Sequence, residues 1–416
     1  MALLRKALEK SPVRDGVCPD LSMSLPNGAQ WLARLRFFLV FLILALTTFE
    51  WQYLVAERMG AESGGVTLGL SYSIGTFSTV IVLGGLAYFG RSLAITRIPL
   101  ALLFANSLLS YGVVQFIDRW PWLSDWMFVV TACHASLNLL SLSIEVSAVQ
   151  LREELSYPRI RVFGSLGYLA AAFMSQLWGG ALFPVIIALA VITLALPFLS
   201  QGLNTSAGRL VAPSANRLRA IIWLSLAAFV LWSVSRGFEV MGPIYLRSTT
   251  DNGLMWLTVL IISESVLLQW IDRLNSNFVI LVAALMWAGV YGLFAYGLSP
   301  MTACAALLMA GFNCPAQVVM QSQVGKLFPG MPTAQAALSI SGAAGGFVAS
   351  LFYVWVARQL GDSILGYCIV QSLLAVPLLF LCMLQVRRQS TGPGPPIEIA
   401  PKTIDSADEG MVSQAA

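Results

Sequence analysis

Seven ionisable residues lie inside or at the ends of long apolar stretches of this chain, where a charge is expensive to bury. Such a residue is by default a functional candidate that needs a partner, because an unpaired charge in an apolar medium costs several kcal/mol. The chemistry open to this set is binding of polar groups and transfer of protons. The residues are Glu50, His134, Glu145, Arg161, Arg236, Glu239 and Glu264.

Arg236 and Glu239 are three residues apart, which places them on one face of a helix and allows a direct ion pair. The pair would either clamp a substrate or let its apolar helix insert as a neutral unit. Glu264 has no basic residue within four positions on its own helix. It therefore finds a cation on another helix or is protonated after desolvation, and either state suits a proton carrier. The alternative is a neutral acid held by hydrogen bonds in the core.

Glu145 and Arg161 end and begin two successive apolar stretches, so a short connection predicts antiparallel neighbours whose side chains meet. Arg161 could also extend to the membrane surface, as long basic side chains do. His134, the single histidine, lies about three helical turns before Glu145 and is a candidate proton relay or a packing residue. Glu50 ends the first apolar stretch, where it either takes part in binding or is in contact with water.

Composition places these residues in a membrane. Apolar residues make up 57% of the 416 residues and charged residues only 11%, against about 25% charged in soluble domains. This excludes a disordered chain, a nucleic-acid-binding protein and an ordinary soluble enzyme. Since a span needs about 20 apolar residues, we predict twelve spans, at 35–56, 66–89, 96–117, 124–147, 160–178, 181–201, 218–246, 253–271, 276–297, 300–324, 334–358 and 363–385.

Basic residues set the predicted orientation, since they concentrate in cytoplasmic segments. With both termini inside, the outer loops hold only Arg58, Arg119, Arg247 and Arg358 of the 24 Lys and Arg residues, and Arg236 lies within a span. We expect a multi-pass protein of the cell (inner) membrane. The predicted segments are a cytoplasmic tail (1–34), a six-helix half (35–201), a central cytoplasmic loop (202–217), a second six-helix half (218–387) and a disordered tail (388–416).

The two predicted halves share a short sequence pattern. Phe-Glu at 49–50 precedes Tyr-Leu at 53–54, and Phe-Glu at 238–239 precedes Tyr-Leu at 245–246. The next span of each half carries Gly-Leu followed by two residues, at 69–72 and at 253–256. A duplicated six-span unit is typical of parallel-repeat transporters.

Motifs for other chemistry are missing from the sequence. It has no GxSxG, Walker or HExxH motif, no CxxC pair and no zinc-type Cys/His spacing. We therefore expect no enzyme activity, no cofactor and no metal. A secondary transporter and a non-transporting membrane scaffold or sensor remain.

Residues 158–168 (PRIRVFGSLGY) resemble the start of the fifth helix in the phenylpropionate-permease and oligosaccharide:proton symporter branches of the major facilitator superfamily. Residues 253–256 (GLMW) followed by Glu264 look like the eighth helix of the first branch, and 327–330 (LFPG) resemble its loop between helices ten and eleven. Residues 272–273 (DR) are similar to the superfamily's cytoplasmic loop motif. The resemblance implies an all-α membrane protein with twelve transmembrane helices in two pseudo-symmetric six-helix halves.

The same resemblance implies roles for some of the ionisable residues. Arg161 matches a sugar-binding Arg in helix five of lactose permease, Glu145 matches a Glu in helix four with a short gap, and Glu264 approximates a Glu in helix eight. Residues 309–315 lack the His and Glu that couple protons in helix ten of that protein, and 286–290 lack the Arg that pairs with them. Coupling would therefore run through other acids.

These observations predict a monomeric secondary active transporter that moves a small organic solute by alternating access, as a proton-coupled symporter. The alternatives are import or export of a larger secondary metabolite such as a siderophore, and the scaffold or sensor. The expected partners are the solute, the bilayer and protons, with no nucleic acid. The predicted substrate-binding residues are Glu50, Glu145, Arg161, Arg236 and Glu239, and the predicted proton-coupling residues are Glu264, Glu239 and His134.

Overall fold

The fold was determined as a computed structural model. It describes residues 27–59, 61–88, 98–120, 122–150, 157–178, 182–195, 215–249, 253–271, 276–297, 299–328, 332–360 and 364–390. These residues are helical or in short turns, and they contain no strand. The all-α prediction is therefore confirmed for the part of the chain that the structure describes.

The described residues form fourteen helices, and every predicted span overlaps at least one of them. The helices are α1 (Asn27–Met59), α2 (Ala61–Tyr88), α3 (Ile98–Phe116), α4 (Trp122–Asp125), α5 (Met127–Gln150), α6 (Tyr157–Trp178), α7 (Phe183–Ala195), α8 (Ala215–Thr249), α9 (Gly253–Trp270), α10 (Ser276–Tyr296), α11 (Pro300–Ala310), α12 (Asn313–Leu327), α13 (Pro332–Leu360) and α14 (Ile364–Ser390).

Several predicted boundaries differ from the observed ones. Helix α1 begins at Asn27, inside the segment predicted as an N-terminal tail, and α8 begins at Ala215, inside the predicted central loop. Charged and polar residues at these helix starts shortened the apolar pattern, although the backbone continues as helix. The rest of both predicted tails and of the central loop lies outside the described residues.

Six segments among the described residues are long and apolar enough to cross a membrane. Four shorter apolar segments lie on other helices (Thr67–Val82, Phe183–Ala195, Trp256–Trp270 and Ala337–Ala349). A membrane protein with several spans is thus supported, while the count of twelve stays a prediction. The six segments are Gln30–Met59, Ile98–Phe116, Met127–Val146, Ala215–Ser235, Asn277–Tyr296 and Pro300–Gly325.

Helix packing repeats along the chain. We call α1–α7 the N-terminal group and α8–α14 the C-terminal group. In the first group α1 packs on α6 and α7, while α3 packs on α5 and α7. In the second, α8 packs on α13 and α14, while α10 packs on α11 and α14. The same pattern of neighbours thus occurs twice in chain order. Contacts between the groups come mainly from α2 with α13 and from α6 with α9.

Among the described glycines, Gly167 in the N-terminal group and Gly345 in the C-terminal group approach a neighbouring helix most closely. A Cβ at Gly167 of α6 would overlap the Phe38 carbonyl oxygen of α1, and a Cβ at Gly345 of α13 would overlap the Phe229 carbonyl oxygen of α8. The glycine three residues earlier, Gly164 or Gly342, faces an aromatic ring of the same partner helix. Small residues let helix backbones approach closely in membranes, where packing replaces the hydrophobic effect as the driving force.

Gly167→Val should therefore lower the thermal midpoint of the purified protein in detergent. The new side chain must push α6 away from the α1 backbone, and overpacking of this kind costs about 1–3 kcal/mol. Thermal unfolding followed by size-exclusion chromatography measures the shift.

Gly112→Val is the matched control, because a Cβ at Gly112 of α3 meets no atom of a neighbouring helix within 4 Å. Equal shifts in the two variants would show that the contact between α1 and α6 is not what the valine disturbs.

Candidate functional site

A cavity of about 370 Å³ lies between the N-terminal and C-terminal groups. Both groups supply its walls, from α1, α2, α5 and α6 on one side and from α8 to α13 on the other. Its polar lining residues are Thr48, Gln52, Tyr72, Thr76, Thr79, Asn138, Tyr157, Arg161, Ser165, Tyr168, Glu264, Asn313, Cys314, Gln317, Gln321 and Ser339.

Arg161 of α6 and Glu264 of α9 form an ion pair in this cavity, with 3.4 Å between Arg161 Nη2 and Glu264 Oε1. The Arg161 side chain is 16% exposed and the Glu264 side chain 9%. Ser165, one turn after Arg161, donates a hydrogen bond to the same Glu264 oxygen. The pair joins the two groups of helices at the point where α6 packs on α9.

Local packing positions the Arg161 guanidinium. It lies over the Phe41 ring of α1, 4.6 Å from the ring centroid, at a distance where a cation is attracted to an aromatic face. A Cβ at Gly164 would lie 2.9 Å from Arg161 Nη1, so the absent side chain at Gly164 gives the guanidinium its room. The resemblance drawn from residues 158–168 thus includes the arginine and the glycine that accommodates it.

Glu264 is positioned by a break between α11 and α12. The helix is interrupted at Gly311–Phe312, and a Cβ at Gly311 would lie 2.6 Å from Ser263 Oγ and 3.1 Å from the Glu264 nitrogen. Ser263 Oγ also donates a hydrogen bond to the Leu308 carbonyl oxygen at 3.0 Å. This close approach places Cys314, at the start of α12, beside both Glu264 and Arg161.

Neutral amides and aromatic rings make up much of the remaining wall. Gln52 Nε2 donates to the Tyr72 hydroxyl at 3.3 Å, and Trp287 Nε1 donates to Asn313 Oδ1 at 3.3 Å. Our sequence reasoning missed these residues because it considered only ionisable groups. Amides within predicted apolar spans were the available signal, since they too are costly to leave unpaired in a membrane.

The sequence predicts that Glu145 meets Arg161, but the structure does not place these two side chains together. The Glu145 carboxylate lies in a bidentate ion pair with Arg36 of α1, at 2.9 Å from Nε to Oε1 and 2.5 Å from Nη2 to Oε2. Both side chains are almost fully buried, with 3% and 2% exposure. The predicted orientation leaves Arg36 on the cytoplasmic side, since it is not among the four basic residues of the outer loops, but α1 begins nine residues earlier, which places Arg36 well inside the helix.

Glu50 is also buried away from the cavity lining. It is 2% exposed, and Ser175 of α6 donates a hydrogen bond to its carboxylate. Glu50 therefore links α1 to α6 within the N-terminal group, and the water-exposed alternative does not apply.

His134 of α5 has a partner at each ring nitrogen. Ser110 Oγ lies 3.1 Å from Nδ1 and Asn138 Nδ2 lies 3.2 Å from Nε2. The Trp51 ring stacks on the imidazole with 4.9 Å between centroids. An amide nitrogen directed at Nε2 fits a neutral ring with its proton on Nδ1, because two donors cannot share one hydrogen bond.

Arg236 and Glu239 lie on α8, but their side chains fall outside the described residues, so the predicted pair is not seen. The backbone around them is unusual. The Tyr291 hydroxyl donates to the Val234 carbonyl oxygen at 2.6 Å and accepts from the Phe238 N–H at 3.3 Å. A side chain inserted between residues i and i−4 of a helix is a known cause of local bending.

No group of three or more His, Cys, Asp or Glu side chains in the described segments could hold a metal ion. The ionisable groups of the cavity are instead arranged to pair with each other across the two groups of helices.

The fold is similar to that of known transporters. No protein-family model and no curated protein matches the chain. A crystal structure of a mutant of the nucleoside transporter NupG shares 17% identity with a TM-score of 0.61, over 86% of this chain and 99% of that one. A second NupG crystal structure shares 16% identity with a TM-score of 0.59, over 86% and 98%. These likenesses support the predicted fold, while neither branch named above is confirmed.

The ion pair of Arg36 with Glu145 gives a stability prediction. Glu145→Gln should strongly destabilise the protein, by about 3–5 kcal/mol, because it removes a charge that pairs with a buried guanidinium. The double variant Arg36→Met with Glu145→Leu should recover most of the loss, since well-packed apolar residues often replace a buried pair at little cost.

Thermal midpoints of the parent, both single variants and the double variant measure this coupling. A double variant no more stable than Glu145→Gln alone would contradict a mainly electrostatic role for the pair.

Proposed function

We propose that the protein is a secondary active transporter that carries a small organic solute together with a proton. In this proposal it has twelve spans in two six-helix halves, 35–201 and 218–387, which alternate in exposing a central site. The observation that carries the proposal is the ion pair of Arg161 with Glu264, which joins the two groups of helices inside the cavity between them.

The cavity supports a small solute over a large one. Its volume of about 370 Å³ is near the lower end of the roughly 300–1,000 Å³ typical of small-molecule sites. This disfavours a siderophore. Aromatic rings and neutral amides line the cavity, which suits a polar solute with a planar ring. Because NupG is a nucleoside transporter, nucleosides are the first solutes to test.

The ion pair also supports transport over the scaffold or sensor alternative. A scaffold with this fold would be expected to have a filled interface between the groups, whereas this chain has a cavity with charged groups in its wall. Replacing such a pair with apolar residues is often neutral or stabilising. The ion pair is therefore better explained by a role in transport than by a contribution to stability.

Proton coupling is proposed to proceed through Glu264. The Arg161 guanidinium stays charged at any relevant pH, so an ionised Glu264 holds it and ties α6 to α9. A proton on Glu264 removes that attraction and frees the guanidinium to donate hydrogen bonds to a solute. Proton and solute then enter together, and loss of the proton restores the ion pair.

The other predicted residues take different places in this proposal. Glu50 and Glu145 fix helices within the N-terminal half through Ser175 and Arg36. Arg236 and Glu239 stay proposed solute contacts, because Phe238 next to them lines the cavity. We further propose a monomer in the cell (inner) membrane with both termini in the cytoplasm, which follows from the distribution of basic residues.

Glu264→Gln should abolish solute-driven proton movement in proteoliposomes. The amide keeps the shape of the side chain but can neither carry the proton nor neutralise Arg161. A pH-sensitive dye inside the vesicles reports proton entry when pooled nucleosides, aromatic acids, sugars or siderophores are added outside.

Glu57→Gln, the same change at an exposed position of α1, is the control and should behave as the parent. Full gradient-driven accumulation of solute by Glu264→Gln would remove Glu264 from the coupling path.

A further inference from the structure

Arg34, near the start of α1, lies against two aromatic rings. Its guanidinium carbon is 5.4 Å from the centroid of the Trp31 ring and 5.6 Å from the centroid of the Phe163 ring, which belongs to α6. An aromatic face attracts a cation at both distances. The two rings are also in edge-to-face contact with each other, with 6.1 Å between their centroids. The rings thus hold the Arg34 side chain at the contact between α1 and α6.

The ring contacts leave the N–H groups of Arg34 available. A guanidinium carries five N–H donors in its plane, and its attraction to a ring face uses none of them. Among the described residues, the Arg34 guanidinium has neither an ion-pair nor a hydrogen-bond partner. Arg36, two residues later, differs because Glu145 pairs with it through two contacts. Arg34 is therefore a positioned cation whose donors are unused within the described part of the chain.

A second positive charge lies on the same side of α6. Arg159 is exposed and is four residues before Phe163, a spacing that makes two residues neighbours on one helix face. It too has no ion-pair partner among the described side chains. This end of α1 and α6 thus presents two guanidinium groups with no counter-charge in the described segments, which favours a ligand of net negative charge.

The length of the apolar segment in α1 places Arg34 at headgroup depth. The segment Gln30–Met59 has 30 residues and is therefore about 45 Å long, against roughly 30 Å for the hydrocarbon core of a bilayer. When centred, it extends about 7 Å beyond the core at each end, and Arg34 lies about 6 Å along the helix from Gln30. Trp31 is 60% exposed, as is usual for tryptophan at a membrane interface.

Phosphate is the anionic group that this arrangement suits. The planar fork of a guanidinium matches the oxygens of a phosphate and can donate two parallel hydrogen bonds to them. In the headgroup layer, phosphates belong to phospholipids. A net negative headgroup would also be attracted by Arg159, whereas the cation of a zwitterionic headgroup would offset that attraction.

We propose that Arg34, positioned by Trp31 and Phe163, binds the phosphate of an anionic phospholipid, with Arg159 adding to the attraction. In the orientation proposed above, the lipid belongs to the cytoplasmic leaflet, where anionic headgroups attract basic residues near the membrane. The lipid would contact α1 and α6 together. The inference goes beyond the proposed transport function and does not depend on it.

Native mass spectrometry of the purified protein in detergent tests the site, because it resolves the protein with one lipid bound. The two probes are phosphatidylglycerol and phosphatidylcholine with identical acyl chains, which share the phosphate and differ in net charge. The parent should bind its first phosphatidylglycerol about tenfold more tightly than phosphatidylcholine, in line with one charge-assisted contact. Equal affinities for the two lipids would overturn the proposal.

Arg34→Gln should weaken phosphatidylglycerol about tenfold and phosphatidylcholine by less, so that most of the preference is lost. Arg219→Gln is the matched control, because Arg219 of α8 is exposed and has no aromatic ring beside it in the described segments. It should keep the preference of the parent. An equal loss in both variants would show that diffuse charge attracts the lipid, and would contradict a site at Arg34.

Trp31→Leu tests the positioning of the guanidinium without removing a charge. Trp31 is largely exposed, so the fold should tolerate the change, and an unaltered thermal midpoint would confirm this. Loss of one cation–π contact should weaken phosphatidylglycerol about two- to fivefold. An unchanged affinity would overturn the role of the ring.

Inorganic phosphate distinguishes a lipid site from a site for soluble anions. At the same concentration as phosphatidylglycerol it should not displace the lipid, since it has no acyl chains to hold it beside α1 and α6. Displacement would overturn the assignment to a lipid. These outcomes are separable from those of the proposed function, because anionic lipid can bind whether or not Glu264 carries a proton in transport.

Discussion

The ion pair of Arg161 with Glu264 constrains the whole molecule because its two charges belong to different groups of helices. A guanidinium this close to the centre of an apolar bundle needs a counter-charge, and the one it has is on α9. Separation of α6 from α9 would therefore leave two charges unpaired unless a proton neutralises the carboxylate or a solute binds the guanidinium. In the proposed transport cycle, this electrostatic requirement links movement of the two groups to what occupies the cavity between them.

The second buried ion pair, of Arg36 with Glu145, differs from the first in its geometry and suits a permanent link. Arg36 and Glu145 bond through two parallel contacts at 2.9 and 2.5 Å, and both belong to the N-terminal group. Bidentate pairs of this kind are strong and geometrically specific. Arg161 lies farther from Glu264, at 3.4 Å, and its guanidinium also lies beside Ser165, the Phe41 ring and the cavity. The short contacts of Arg36 with Glu145 suit a fixed link between helices. The longer contact of Arg161 with Glu264 suits the exchange of partners proposed above.

Apolar runs sufficed to predict the helices, because a membrane leaves a backbone few alternatives. The ionisable residues were also recognisable, and Arg161 and Glu264 do line the cavity. Their partners were harder to predict, since a short connection shows which helices are adjacent but not which faces meet. Glu145 and Arg161 lie on helices joined in sequence, yet each pairs elsewhere. Arg36 was missed as a partner because a helix boundary was placed too late. Gln52 and Asn138 were missed because a neutral amide gives no charge signal.

The glycine contacts restrict movement within each group of helices. Gly167 and Gly345 bring α6 onto α1 and α13 onto α8 at backbone distance, so sliding within either group would create immediate overlap. Close-packed interiors deform little and tend instead to switch between discrete arrangements. The contacts between the groups are of another kind. The rings of Phe77 of α2 and Phe347 of α13 lie 5.7 Å apart, and α6 meets α9 through the ion pair of Arg161 with Glu264. In the proposed transport cycle, motion therefore occurs at this interface, where side chains can exchange partners, and the tight glycine contacts keep each group intact as it moves.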